Sequence, residues 1–160
     1  MRKGEARLLS ELLKDSKRSD RELGRLLKLS QPTITRTRHK LEKEGWVQQY
    51  TVVPDLVKLG FEILAISCFK SKLNKESIEN SGRLTVSKPN VVFAAECNGM
   101  KMNVVVVSLH KSYSDYVEFV REVRSEFGAD LNRADSLIVS LEGLVFKPLG
   151  FKCLAETLEE

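Results

Sequence analysis

Between Leu27 and Gln31 the chain has only about three residues in which to end one helix and begin the next, and that spacing forces a tight, steeply angled helix pair. The first of the pair is announced by Ser19 with Glu22 three residues on, a capping box in which each satisfies a backbone donor of the other. Its core side is expected at Leu23, Leu26 and Leu27, with Gly24 on a neighbouring face where the missing side chain lets another helix come close. The second opens at Ser30 as N-cap, tolerates Pro32 in its first turn and stops at Gly45, the left-handed residue past a helix end. Ahead of both, Leu8, Leu9, Leu12 and Leu13 recur at helical spacing and supply a third apolar stripe.

The helix after the gap can be read by angle at about 100° per residue. With Ile34 as zero, Leu41 falls near about −20°, so these two mark the buried side. Arg36, His39 and Lys43 then fall between about 140° and 200°, facing away, with Thr33, Thr35 and Lys40 beside them. Thr, Arg, His and Lys on an outward helix face suit a major groove, where they donate to phosphates and base edges. Arg38, at about +40°, leans toward the core, and its head is expected to reach Glu42 one turn on. After Gly45, the run Trp46–Val53 alternates apolar and polar residues with high β propensity, which predicts a wing hairpin or a pair of short strands. Charge agrees with this placement. Residues 1–60 hold 14 Lys/Arg against 8 Asp/Glu, a net +6, whereas residues 61–160 hold 12 against 14, a net −2. A basic half of this kind faces a polyanion.

Glu22-Leu23-Gly24, Leu29-Ser30-Gln31-Pro32-Thr33-Ile34-Thr35-Arg36, Leu41-Glu42-Lys43-Glu44-Gly45-Trp46-Val47 and Tyr50-Thr51 together resemble the winged helix-turn-helix of the Lrp/AsnC (feast/famine) regulators. Lys58-Leu59-Gly60-Phe61 is similar to that family's linker, and the resemblance runs over roughly residues 5–145. It implies a winged helix-turn-helix over residues 1–53, a linker over 54–61 and a second domain over 62–160. Double-stranded DNA with a pseudo-palindromic operator is the implied partner, met by Gln31, Thr33, Thr35 and Arg36 at base edges. Arg18, Lys40 and Lys43 would serve phosphates, with His39 on the same face and Gln48 and Gln49 on the wing. Two positions depart from the family pattern. Lys28 stands where the turn usually has Gly, and Arg38 where the helix usually has an apolar residue.

In the second half, residues 61–69, 91–95, 103–109 and 137–141 read as strands. A weak helix is expected over 74–86. A clear amphipathic one carries Tyr113, Tyr116, Val117, Val120 and Phe127. Asn98-Gly99 is the hairpin signal between the middle strands. The order βαββαβ is ferredoxin-like, so the fold class is α+β. Two helices cover one face of such a sheet, yet the 91–95 and 104–107 runs are apolar on both faces. The bare face therefore predicts a homodimer or a higher oligomer.

The family resemblance also implies an amino-acid effector near a Gly-x-x-Asp pattern. The matching stretch is Gly99-Met100-Lys101-Met102, so Asn98, Gly99, Met100 and Met102 are the effector candidates and the acidic partner for an ammonium is missing. No cluster of His, Cys and carboxylates has metal-ligand spacing, and no nucleophile motif or phosphate loop is present. The expectation is no metal, no cofactor and no enzyme. One alternative stays open, a haem-pathway decarboxylase built on the same two domains around a tetrapyrrole, for which His110 is the sole histidine of the second half. Three widely spaced cysteines and the absence of a long apolar stretch point to a cytoplasmic protein without a membrane segment.

Overall fold

The computed structural model describes residues 1–71, 87–127 and 131–158. The chain divides into two compact units, Met1–Val53 with Lys147–Glu160, and Pro54–Phe146.

In the first unit, α1 spans Lys3–Lys14, α2 Asp20–Leu27 and α3 Gln31–Lys43. The capping box forms as the sequence requires: the Glu22 amide donates to Ser19 Oγ at 3.3 Å and the Ser19 amide to Glu22 Oε2 at 2.7 Å. Leu8, Leu12, Leu23, Leu27, Ile34 and Leu41 form one buried core, whereas Leu26 lies on the exposed side of α2. Gly24 is needed for close approach, both to the turn and to the start of α3, where Gln31 N and Ile34 Cγ1 would stand 3.6 and 3.8 Å from a Cβ. A Cβ there would stand 2.8 Å from the Leu29 carbonyl oxygen.

The run Trp46–Val53 forms no strand and is exposed except at Val47, which overturns the expectation of a hairpin or paired strands. Its physical reason is the absence of a turn. Gln48-Gln49 lacks the Gly or Asn that a tight reversal needs, so the segment has nothing within itself to pair with. The tail, counted by sequence with the second domain, has its contacts in the first unit. A short α5, Leu154–Thr157, packs on α1, where Ser10 Oγ donates to the Ala155 carbonyl at 3.1 Å.

The second unit contains β1 (Ile63–Ser71), β2 (Val91–Gly99), β3 (Met102–His110), α4 (Tyr113–Phe127) and β4 (Leu131–Ser140). The strands make one antiparallel sheet in the order β2-β3-β1-β4, the ferredoxin-like arrangement. The helix expected over 74–86 lies outside the described residues. Ser112 and Asp115 start α4, the Asp115 amide donating to Ser112 Oγ at 3.1 Å. Ile63, Ala65 and Phe69 pack beneath Tyr116, Phe119 and Val123. Directly opposed residues share a face, so the pairing assigns Phe93, Ala95, Val105, Val107, Leu64, Ile66, Leu137 and Val139 to the other one. Of these, Phe93 is 55% and Leu137 67% exposed.

Gly99 pairs with Met102, which makes Met100-Lys101 the centre of the β2–β3 turn. Both residues have positive φ, 50° and 62°. The turn thus lies two residues beyond Asn98-Gly99, because the apolar register of β2 against β3 outweighs the local turn preference.

Candidate nucleic-acid interface

Residues of α3 divide by face as the helical angles require. Ile34 and Leu41 are fully buried against α1 and α2, which turns Gln31, Arg36, His39 and Lys43 to solvent. Gln31, Pro32, Thr35, Arg36 and His39 line a shallow hollow on that outer side. Arg36 and Lys43 have no ion pair among the described residues, so their charges are available to an incoming polyanion. His39 is extended, with 72% of its side chain exposed and Nδ1 3.2 Å from Glu42 Oε2.

Other candidates are engaged inside the unit. Thr33 forms part of the N-cap, its amide donating to Ser30 Oγ at 3.4 Å. Thr35 Oγ1 donates to Asp20 Oδ2 at 2.6 Å. Lys40 Nζ donates to Glu5 Oε1 at 2.6 Å, and this bond, against some desolvation, raises the lysine pKa, while the Arg2 amide first and Lys40 second lower that of Glu5. Arg18 is held by Glu11 and lies 3.7 Å from Asp15. Gln48 and Gln49 are exposed on the unpaired segment after α3.

Arg38 departs from its expected partner. Its Nε donates to Asp20 Oδ1 at 2.8 Å, and Glu42 is reached only through the Tyr50 hydroxyl. Asp20 lies 18 residues back, so the angle reading, confined to one helix, had no access to it. Burial opposes ionisation of Asp20, but the bonds from Thr35 and Arg38 hold its pKa below the ordinary carboxylate value. Sequence reasoning also passed over Arg21, Arg25 and Lys28, which are exposed on α2 and the turn and add positive charge to this unit. Their signal was present as basic residues on the outer side of the capped helix.

Among the effector candidates, Asn98, Gly99 and Met100 are exposed at the end of the hairpin, whereas Met102 is buried at 3% exposure. His110 of the second unit is fully buried, with Nε2 2.8 Å from Ser108 Oγ and its ring against Tyr116 and Phe119.

Residues 5–48 match the family model described as winged helix-turn-helix DNA-binding. The transcriptional regulator LrpC of Bacillus subtilis is 36% identical over 102 residues, covering 60% of this chain and 69% of that protein. An uncharacterized HTH-type transcriptional regulator of Pyrococcus furiosus is 31% identical over 124 residues, or 78% of this chain and 82% of the relative. The chain belongs to the Lrp/AsnC family. Solved structures agree on the fold: B. subtilis LrpC superposes with a TM-score of 0.74 at 24% identity over 92% of this chain and 99% of its own. A Neisseria meningitidis regulator solved as a complex with L-Met gives a TM-score of 0.79 at 18% identity over 96% and 99%. As a member of the Lrp/AsnC family the chain is a DNA-binding transcriptional regulator, and its relatives favour that reading over the tetrapyrrole decarboxylase.

Proposed function

We propose that this regulator binds specific DNA sequences as a dimer, with α3 in the major groove. The observation that carries the reading is the exposed row Gln31, Arg36, His39 and Lys43 on a helix whose opposite side is fully buried. Gln31 and Arg36 sit nearest the helix N-terminus, the end that meets base edges in helix-turn-helix proteins. Arg36 is the bidentate reader of guanine. Lys43 contacts phosphate, as do Arg21, Arg25 and Lys28. Thr33, Thr35, Lys40 and Arg18 support the surface from within, and Gln48 and Gln49 lie where backbone contacts would form.

The uncovered sheet face supports dimerisation. It presents Phe93, Leu137 and Val139 beside Val105 and Val107, a contiguous row of exposed apolar side chains of the kind that marks an interaction surface. A two-fold dimer implies a pseudo-palindromic operator, with half-sites one helical turn or a multiple apart. Ordinary zwitterionic amino acids are expected to be poor effectors. Asn98, Gly99 and Met100 offer an ammonium no carboxylate, and Met102 lies inside the unit. The protein acts without catalysis and in the cytoplasm. No helix among the described residues is long and apolar enough to cross a membrane, and its three cysteines are free.

Selection of binding sites from a random duplex library by the full-length protein tests this function. The expected product is an inverted repeat, and a library that shows no enrichment after repeated rounds rejects sequence-specific binding.

A further inference from the structure

An apolar side chain at position 38 would be enough to close the gap between α3 and α2. This chain places a guanidinium there and engages it on three sides. Nε and Nη2 each lie 2.8 Å from Asp20 Oδ1 at the start of α2. Nη2 also donates to the Arg18 carbonyl at 3.3 Å, and Nη1 to the Tyr50 hydroxyl at 3.4 Å. The second Asp20 oxygen accepts from Thr35, one turn before Arg38 on α3. Tyr50 lies beneath the guanidinium, 5.7 Å from Cζ to ring centre, and its hydroxyl donates to Glu42 Oε1 at 2.9 Å. Glu42 in turn approaches His39 on the outer face of α3. One connected set of polar contacts thus runs from the first turn of α2, across α3, to the segment after it.

We propose that Arg38 is a positioning residue for DNA recognition, fixing the rotation of α3 against α2 and the 46–53 segment through Asp20 and Tyr50. The inference rests on α3 being the reading helix. Apolar packing is non-directional and allows a helix to rotate or slide by a fraction of a residue at low cost. A planar fork with specified acceptors on two neighbouring elements does not. Such part-buried pairs add little net stability, because replacing both partners by apolar groups of similar volume is often as stable. Their effect is on geometry, and base readout depends on side chains held within about half an ångström. Random DNA, bound through mobile phosphate contacts, tolerates a loosened helix, but an operator does not.

The test compares dissociation constants for the selected operator and a scrambled duplex in full-length wild type, Arg38→Met, Arg38→Lys, Asp20→Asn, Tyr50→Phe and the Asp20→Asn/Arg38→Met double variant. Arg38→Met strands the Asp20 carboxylate and is expected to melt below wild type, with the double variant recovering part of that loss. At a temperature where it is folded it should bind scrambled DNA within about twofold, yet lose about tenfold on the operator. Arg38→Lys should recover part of that loss, since it keeps the charge toward Asp20 without the fork. The double variant should be no worse than Arg38→Met alone, because the two residues act as one unit. Tyr50→Phe keeps the ring and removes the bridging hydroxyl, and should lower discrimination about threefold with unchanged melting. It supplies the reading if Arg38→Met does not fold. Unchanged discrimination in Tyr50→Phe and in any folded Arg38→Met, or losses in the double variant equal to the product of the singles, overturns the proposal. A wild-type protein that enriches no operator refutes the DNA reading itself, a separate and earlier result.

Discussion

Lys28 is the C-cap of α2 with φ 56° and ψ 44°, a left-handed conformation that places its Cβ close to the backbone. The turn needs this geometry, because the Leu29 amide must swing back to the Gly24 carbonyl at 2.9 Å before α3 can start. Lys28→Gly removes the steric cost but adds unfolded-state entropy. The net expectation is a gain of about 0.5–1 kcal/mol, read as a higher denaturation midpoint with unchanged slope. His110 carries the opposite kind of residue-level cost. Burial lowers its pKa, the Asp115 carboxylate 3.7 Å away only partly opposing, so the folded state keeps the ring neutral where the unfolded chain takes up a proton. Its contribution is therefore intact above about pH 6.5 and is lost as pH falls toward the lowered folded value. The depressed pKa values of Glu5, Glu11 and Asp20 in the first unit act at more acidic pH, with stability lost as their carboxylates protonate. Hydrogen exchange between pH 7.5 and 5 should show β3 amides losing protection before those of α3, and His110→Gln should abolish the difference. Equal loss in both units would contradict the assignment.

Whole elements were legible where their signals are local. The capped start of α2, the N-cap and Gly45 end of α3, and the outward row on α3 all depend on residues within a turn or two of one another. Pairing across the chain was not. β4 begins at Leu131, earlier than the apolar run 137–141, because Ala134 lies opposite Phe69 and carries a polar stretch into the sheet. The hairpin turn fell at Met100-Lys101 for the same reason, and Trp46–Val53 had strand propensity without a partner strand. The site followed this rule too: Arg36 was placed by helical angle, whereas the Asp20 partner of Arg38 required the fold. α5 is the extreme case, four residues that gain their place only by docking on α1, with Ala155 at 1% exposure. Ala155→Glu should release the tail, lower the stability of the first unit by about 1–2 kcal/mol and reduce exchange protection in α1. An unaltered denaturation curve would mean that the tail adds nothing to that unit.

At the scale of the molecule, the function proposed above gives the basic helical unit the contact with DNA and the exposed apolar face of the sheet the pairing with a second copy. Leu137→Glu puts a charge at an exposed position of that face, where it costs the monomer little and a buried interface several kcal/mol. Sedimentation should show the variant as monomer at concentrations where the wild type is dimeric, with operator affinity falling because half-sites are no longer bound together. A variant that stays dimeric would place the interface elsewhere. Whether the outer face of α3 reads sequence is decided by Arg36→Ala titrated against operator and scrambled duplexes at matched salt. Loss of a bidentate guanine contact predicts a drop in operator affinity of about 1–3 kcal/mol with scrambled binding nearly unchanged. Equal weakening on both duplexes would show Arg36 to be only a phosphate contact and would contradict the account.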